Sequence, residues 1–261
     1  MIKTTTIKGL DEIVERYDFF ILDQWGVMHD GKQGYPCAID CINNLVKLNK
    51  KLIIISNSSK RKKNTISRLP SLGFNQDNFF ETMTSGEMIW QSLLNLNHDF
   101  TKKLNKNCFH LYDKNKEDGK LFLQGLEKYN FVENIEQADF ILGCTPYANY
   151  SIMDYIPLLK KAINKQLPFV CANPDFDTVE NKSKNLLICM GSIAELYKSM
   201  GGKIFILGKP CFEIYNESIK KINNFEKSKT LAIGDSIYHD IAGANSFGVD
   251  SLLITSGIHK G

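Results

Sequence analysis

Four short apolar runs in this sequence each end in side chains that can act on a charged group or bind it. Asp23 directly follows the run FFIL, and its carboxylate can serve as a nucleophile or as a ligand of a metal ion. Ser56 and Asn57 follow the run LIII, where a hydroxyl and an amide suit the oxygens of a phosphate group. Lys209 follows the run IFILG and can neutralise charge on a phosphoryl group and on Asp23 together.

The remaining run, TLAIG, leads into the segment GDSIYHD, which carries Asp235 and Asp240. Carboxylates are the hard oxygen ligands that Mg²⁺ prefers in proteins. Each of the four segments alone also has an ordinary structural explanation, as a turn, a helix cap or a solvated helix start. They occur in order, however, and the carboxyl ends of parallel strands meet at one edge of a sheet. The sequence therefore predicts one site with a nucleophilic carboxylate, phosphate contacts and a magnesium ion.

The elements that position these side chains alternate between apolar runs and amphipathic helical segments. This alternation predicts an α/β fold with a Rossmann-like parallel sheet at its core. Strands of that sheet are predicted at residues 19–23, 52–56, 204–208, 230–235 and 250–255. Helices are predicted over residues 36–49, 211–222 and 238–247, the first of which opens with a proline suited to a first helical turn.

The middle of the chain carries its own alternation of strands and helices. Strands are predicted at 108–112, 139–143 and 167–172, with helices near 85–97, 117–129 and 151–165. This block is long enough for a small α/β domain inserted into the first one, with crossings near 82–84 and 174–180. The predicted domains are therefore 1–83 and 179–261 for the core and 84–178 for the insertion. A single continuous sheet is the alternative.

Taken together, these segments resemble the motifs of the haloacid dehalogenase superfamily, in its subfamily IIA with a large cap domain, the branch of the NagD-like and nitrophenyl-phosphatase-like hydrolases. The resemblance covers essentially the whole chain. The matching residues are, in the order of the family's four motifs, Asp23, Ser56, Lys209, and Asp235 with Asp240. Three further segments resemble the family's flap, cap entrance and cap exit: GVMHDG at 26–31, TSGE at 84–87 and CANPDF at 171–176.

The resemblance implies a phosphatase mechanism. Asp23 would attack phosphorus to form an aspartyl-phosphate, which water then hydrolyses, by positioning and charge neutralisation. It also implies that Mg²⁺ is held by Asp23, by the backbone carbonyl of Trp25 and by Asp235. Asp240 would hold a ligand water or Lys209. Asn57 would help Ser56 and Lys209 to bind the phosphate.

Trp25 departs from the family pattern, because the family has a second aspartate at this position. That aspartate protonates the leaving group, whereas an indole cannot donate a proton in this chemistry. General acid–base help is worth about 10²–10⁴-fold in rate. Asp23 and its metal contact do not depend on this residue's side chain, so the substitution affects the departure of the leaving group.

Three interpretations of this substitution stay open. In the first, the protein is a phosphatase whose leaving group needs little help, or in which His29 or Asp30 on the flap replaces the acid; both residues otherwise read as exposed hairpin residues. In the second, it is a dehalogenase-like hydrolase, which needs no proton for a halide. In the third, it has lost catalysis and binds a phosphorylated ligand. The pair Asp235 and Asp240 argues against the second interpretation, because it suits a metal that dehalogenases lack.

The expected partner is a small phosphorylated metabolite, selected by the cap as it closes over the site. Tyr147 and Asn149, in the loop after the strand at 139–143, are the predicted substrate contacts. The resemblance also suggests a possible homodimer through the cap. The basic cluster at residues 60–63 is interpreted as a solvated helix face, with steering of anionic substrates as the alternative.

Composition excludes several other classes of function. The chain has 261 residues, 43% of them hydrophobic, and a net charge of only +3, which argues against a nucleic-acid partner. It has no apolar run near the ~20 residues that span a bilayer and no apolar region typical of a signal peptide at its start. Seven cysteines without a C-x-x-C pair favour free thiols and a cytoplasmic location. Since relatives usually continue beyond the strand at 250–255, a fragment or a short version is expected.

Overall fold

The computed structural model describes residues 4–176 and 188–257. Within them the strands are β1 Phe19–Leu22, β2 Lys51–Ser56, β3 Phe79–Thr84, β4 Asn107–Leu111, β5 Asn130–Val132, β6 Phe140–Gly143, β7 Phe169–Cys171, β8 Ile204–Phe205, β9 Thr230–Gly234 and β10 Asp250–Leu253. The α-helices are α1 Pro36–Lys47, α2 Lys62–Arg68, α3 Ser85–Asn95, α4 Glu117–Phe122, α5 Ile156–Asn164, α6 Met190–Ser199, α7 Phe212–Ile219 and α8 Ala242–Phe247. None of the helices in this part of the chain is long and apolar enough to cross a membrane.

The strands form two separate parallel sheets. The first has the order β10-β9-β1-β2-β3, and the second has the order β5-β4-β6-β7-β8. All the pairings within both sheets are parallel. The predicted α/β fold, with a Rossmann-like sheet and a second α/β unit, is confirmed, and the alternative of one continuous sheet is wrong.

The first sheet is covered on both faces, which explains why its central strands read as unbroken apolar runs. Along β2, Ile53 and Ile55 pack into one buried cluster, while Leu52 and Ile54 pack into another that also holds Ile42 of α1. Successive side chains of a strand point to opposite faces, so neither face of β2 meets water. Burying one such side chain contributes about 1.5–3 kcal/mol, so this run alone anchors the middle of the sheet.

The predicted place of residues 204–208 in the first sheet is wrong. Ile204 and Phe205 pair with Phe169 and Val170 of β7, at the edge of the second sheet. A buried apolar strand has the same composition in either sheet, so the run itself does not say which neighbour it pairs with. The helix α6 and β8 therefore belong with the second sheet, although both lie in the predicted range 179–261. The predicted end of the insertion at residue 178 lies outside the described residues, and the domain boundaries stay predictions.

Two strands lie in segments for which no strand is predicted. The strand β3, with sequence FFETMT, forms the edge beside β2, and the three-residue β5 forms an edge beside β4. Neither has the unbroken burial of the central strands, since Phe80 of β3 and Phe131 of β5 are exposed. The predicted helix at 117–129 is short, ending at Phe122, and a single π-helical turn, Ile237–Ile241, precedes α8.

Candidate active site

The predicted cluster of acids forms at the carboxyl edge of the first sheet. Asp23 follows β1 and Asp235 follows β9, which is its neighbour in the sheet, and the Asp23 amide donates to the Ile233 carbonyl at 2.9 Å. Asp240 comes from the turn that follows β9. All three aspartates are buried, and one carboxylate oxygen from each lies within 4.8 Å of the others. The predicted convergence is thus observed, while the roles of the residues stay predictions.

Lys209 lies between two of these acids. Its Nζ is 2.6 Å from Asp23 Oδ1 and 2.6 Å from Asp240 Oδ1, and the residue is only 3% exposed. Its backbone is fixed by Asn57, whose Oδ1 accepts from the Lys209 amide at 2.7 Å and whose Nδ2 donates to the Lys209 carbonyl at 3.2 Å. The loop after β8 in the second sheet is thereby held against the loop after β2 in the first.

Burial and charge act against each other in this cluster. Burial, followed by the nearby Asp240 and Asp235 carboxylates, raises the pKa of Asp23, and the Lys209 ammonium opposes this shift. Burial disfavours the Lys209 ammonium, but the Asp23 and Asp240 carboxylates outweigh it and raise the pKa of Lys209 above its ordinary value. The lysine is therefore charged at neutral pH. Two of the three carboxylates, those of Asp23 and Asp240, share the Lys209 ammonium. The three acids together bring carboxylate oxygens within 4.8 Å of one another, a spacing that suits a further cation.

The backbone around the acids is shaped for close approach. A Cβ atom on Gly234 would lie 2.1 Å from Asp240 Cγ, so a side chain at this position would displace the carboxylate. Asp240 is oriented by the Ser236 amide, which donates to its Oδ2 at 3.0 Å. A Cβ on Gly257 would lie 2.0 Å from Asp235 Oδ2. Buried carboxylates held at this spacing fit a hard divalent cation such as Mg²⁺.

The loop after β2 contributes the predicted phosphate contacts. Ser56 and Asn57 are both buried, and the Ser56 hydroxyl accepts from the Ser58 amide at 3.3 Å. The Asn57 amide is committed to Lys209 and also donates to Asp175 Oδ1 at 2.8 Å. Asn57 thus positions the backbone of Lys209 through hydrogen bonds. Its contact with phosphate stays a prediction.

Asp175 and His239 adjoin the site but were not among the predicted site residues. Asp175 follows β7 of the second sheet, and its Oδ1 lies 3.4 Å from His239 Nδ1. The Ser236 hydroxyl lies 3.1 Å from the same nitrogen. Burial raises the pKa of Asp175, which His239 and Lys209 oppose. The signal was present in the segment CANPDF, which was interpreted only as a crossing between domains.

Trp25 lies against the flap rather than among the acids. Its ring packs edge-on against His29, with centroids 5.0 Å apart, and the guanidinium carbon of Arg68 lies 5.9 Å from its centre. The two residues Trp25 and His29 also form a β-bridge. The contact of the Trp25 carbonyl with a metal ion stays a prediction.

The interpretation of His29 as an exposed hairpin residue is wrong, because only 2% of it is exposed. Its Nδ1 accepts from the Gly31 amide at 3.1 Å, and burial, assisted by Arg68 and Lys60, lowers its pKa to about 4. Asp30 accepts from two backbone amides of its own turn, and these hydrogen bonds lower its pKa. At neutral pH the imidazole is neutral and the carboxylate ionised. Neither group is therefore in the protonated form that would act as a general acid for a leaving group.

The predicted substrate contacts lie in the loop after β6. Tyr147 packs with Tyr150 and Tyr155, at centroid distances of 5.2 and 5.8 Å, and its amide donates to the Tyr155 hydroxyl. Asn149 is exposed with a positive φ of 63°. These contacts explain how the loop is held, and the role of both residues in substrate binding stays a prediction.

The basic cluster after β2 is not a free solvated face. Three of its side chains pair with acids: Lys60 with Asp118 at 3.0 Å, Arg61 with Glu87 at 2.7 Å and Lys62 with Glu81 at 3.0 Å. The first of these pairs joins the loop after β2 to α4. These ion pairs connect the loop after β2 to its neighbours. Most of the positive charge of the cluster is therefore already paired with carboxylates and is less able to attract an anionic substrate.

Comparison with known proteins agrees with this geometry. A sequence profile described as haloacid dehalogenase-like hydrolase matches residues 20–140, and one described as HAD-hydrolase-like matches residues 206–261. The chain belongs to the haloacid dehalogenase-like hydrolases. It is therefore an enzyme of the hydrolase class, and both matched ranges contain predicted site residues.

Individual relatives extend the match along the whole chain. A 4-nitrophenylphosphatase of Schizosaccharomyces pombe is 25% identical over 277 residues, covering 99% of this chain and 90% of that protein. The crystal structure of a haloacid dehalogenase-like hydrolase from Brucella suis is 26% identical, with a TM-score of 0.86, and covers 97% of this chain and 91% of that one. A glycerol phosphate phosphatase of Mycobacterium tuberculosis, solved with magnesium, has a TM-score of 0.66 at 22% identity and covers 94% and 70%. This match to the Mycobacterium tuberculosis protein, at 22% identity, shows that the two proteins share a fold.

Proposed function

We propose that this hydrolase is a magnesium-dependent phosphatase that cleaves a small phosphorylated metabolite through an aspartyl-phosphate on Asp23. The observation that carries this proposal is the buried Lys209, held 2.6 Å from both Asp23 and Asp240. A lysine in this position can neutralise a phosphoryl oxygen while it favours the ionised form of the attacking carboxylate against the effect of burial. The name of the fission-yeast relative, a 4-nitrophenylphosphatase, supports the same class of reaction.

The reaction divides among few side chains. The Asp23 carboxylate attacks phosphorus, and the ester oxygen of the substrate leaves with the electron pair of the broken bond. Lys209 and the hydroxyl of Ser56 hold the transferring phosphoryl group, so the attacking and leaving oxygens can align. Water then attacks phosphorus of the aspartyl-phosphate, which releases inorganic phosphate and restores Asp23.

Asp23, Asp235 and Asp240 are the residues that would hold the magnesium ion. Their carboxylates are buried and lie within 4.8 Å of one another, which is the arrangement of hard oxygen ligands that suits a divalent cation. When bound, the ion supplies charge neutralisation at the phosphoryl oxygens.

The leaving group has little proton help in this site. Trp25 stands where the family carries an aspartate, and at neutral pH His29 is not an imidazolium and Asp30 is ionised, so neither is in the form that acts as a general acid. The enzyme should therefore favour esters whose leaving group is a weak base, since such groups depart without protonation. A non-catalytic binding protein would need the same phosphate contacts. It would not need a buried carboxylate beside the lysine, which costs free energy to desolvate.

Phosphate release tests this proposal. The purified protein would be assayed on 4-nitrophenyl phosphate and a panel of phosphorylated metabolites, with magnesium and with chelator. We expect release that depends on magnesium and that falls at least about 100-fold in Asp23→Asn. The matched control is Asp18→Asn, an exposed acid at the other end of β1, which should keep its activity. Absence of release from every ester, with binding of a phosphate analogue intact, would support the non-catalytic alternative. Halide release from 2-haloacids in chelator would support the dehalogenase.

A further inference from the structure

A narrow pocket lies beside the loop that follows Asp23, between that loop and α2. Its walls include Trp25, Ser58, Thr65 and Arg68, with Lys60 at one side. Its enclosed part has room for a group about the size of a water molecule, such as one oxygen of a carboxylate, and its mouth is open to solvent. Of the described residues that line it, two are cations and none is acidic. The pocket therefore offers positive charge and hydrogen-bond donors in a confined space.

Thr65 is an unusual part of the wall. It is 5% exposed, and its Oγ1 is buried without a hydrogen-bond partner. A buried hydroxyl left unpaired costs about 1–3 kcal/mol, which a group that accepts its proton would recover. An anion is the acceptor that suits the neighbouring side chains.

Arg68 supplies the charge. Its guanidinium donates to the Gly31 carbonyl and lies near the Trp25 ring, and both of these partners are neutral. No carboxylate of the described residues forms an ion pair with it. Lys60, in contrast, is paired with Asp118. The charge of Arg68 is thus the uncompensated one in the pocket, and it also contributes to the lowered pKa of the nearby His29.

We propose that this pocket binds a small anionic group, of carboxylate size, between the Arg68 guanidinium, the Thr65 hydroxyl and Lys60. Trp25 contributes a neutral wall where an aspartate would repel an anion. The group can be a free anion or an acid carried by the substrate. Both sources are possible because Trp25 and Ser58 are two residues beyond Asp23 and Ser56, so the pocket adjoins the phosphate site.

Fluorescence tests the pocket without any need for turnover. Trp25 and Trp90 are the two tryptophans of the chain, so Trp90→Phe leaves Trp25 as the reporter. Formate would be titrated at constant ionic strength against pivalate, whose carboxylate is flanked by a tert-butyl group that is bulkier than a planar aryl ring. We expect a saturable change in Trp25 emission. In the same background, Arg68→Gln should weaken formate binding about tenfold or more, as expected for loss of a charge-assisted hydrogen bond.

Two further variants separate binding from a general loss of charge or of folding. Thr65→Val keeps the shape of the side chain and removes the hydroxyl, so it should weaken binding about fivefold or more. Lys63→Gln removes an exposed cation from the same helix and should change binding less than about twofold. Far-UV circular dichroism checks that each variant is folded. A linear, unsaturable response, or equal affinity in Arg68→Gln and Lys63→Gln, overturns the proposal.

Kinetics then identify the source of the anion, and this arm alone rests on the proposed phosphatase function. Hydrolysis of phenyl phosphate would be compared with that of its carboxyphenyl analogues, with and without formate. If formate competes with a carboxylated ester and not with phenyl phosphate, the substrate's acid occupies the pocket. If formate binds but acts on both esters equally, a free anion is the occupant. Both results support the proposed binding of an anion in the pocket. If the protein hydrolyses neither ester, the proposed phosphatase function fails, but the fluorescence measurement of anion binding is unaffected.

Discussion

Replacement of Lys209 by methionine is the most direct test of the charge balance in the site. The substitution keeps the length of the side chain and removes the ammonium that lies 2.6 Å from both Asp23 and Asp240. Two carboxylates then stay buried without their common cation. The protein should be less stable, and the loss should depend on the metal.

The magnitude follows from burial. Removing one partner of a buried ion pair costs about 3–5 kcal/mol, because the partner left behind is both desolvated and unpaired. For a chain of this size 1 kcal/mol shifts Tm by about 2–4 °C, so Lys209→Met should lower Tm by about 6–20 °C in chelator. Magnesium should offset part of this loss. If its affinity rises tenfold in the variant, the extra stabilisation of 1.4 kcal/mol corresponds to about 3–6 °C more recovery than in the wild type.

The assay is thermal unfolding followed by circular dichroism, with chelator and with saturating magnesium. Lys220→Met serves as the control, since Lys220 pairs with Glu217 at an exposed surface and its loss should move Tm by less than about 2 °C. The activity of Lys209→Met should fall at least about 100-fold. A Tm in chelator equal to that of the wild type would refute the reasoning. A rise in Tm on adding magnesium that is no greater in Lys209→Met than in the wild type would also refute it.

Two further predictions concern Glu87, the partner of Arg61 after β2, and Trp25 in the loop after β1. Glu87→Gln should cost about 2–3 kcal/mol at pH 7 in chemical unfolding, because Arg61 and the Lys62 amide lower the pKa of Glu87 against the opposing effect of burial. A lowered pKa gives stability above the unfolded value that is lost as the pH falls, so the difference should shrink below about pH 4. Trp25→Asp should raise kcat on alkyl phosphates at least about tenfold more than on 4-nitrophenyl phosphate. Equal changes in kcat on both esters would contradict the idea that Trp25 occupies the position of a general acid.

The site at the first sheet could be predicted because the end of each apolar run marks the end of a strand. Asp23 and Asp235 directly follow fully buried strands, and Ser56 ends a strand that is buried after its first residue. The apolar run therefore fixes both where the strand stops and where the polar side chain must lie. Parallel pairing of β9, β1 and β2 then brings the three ends to one edge. No long-range information beyond the order of the strands is needed for that step.

The sheet that holds β8 could not be predicted in the same way. Its run IFILG matches the core strands in composition, yet only Ile204 and Phe205 are strand, and they pair with β7. The burial of His29 is a second example, since it depends on Trp25 and Arg68 closing over the flap. The pairing of β8 with β7 and the contact of Arg68 with Trp25 join segments distant in sequence, which local pattern does not encode.

Asp175 links the two sheets through the chemistry of the site. It follows β7, while its partners Asn57 and His239 follow strands of the first sheet. Asn57 in turn fixes the backbone of Lys209, which enters from β8. A shift of the second sheet relative to the first would therefore move Asp175 and the lysine together. If the second sheet closes over a substrate, this short chain of hydrogen bonds would therefore move the Lys209 ammonium with it.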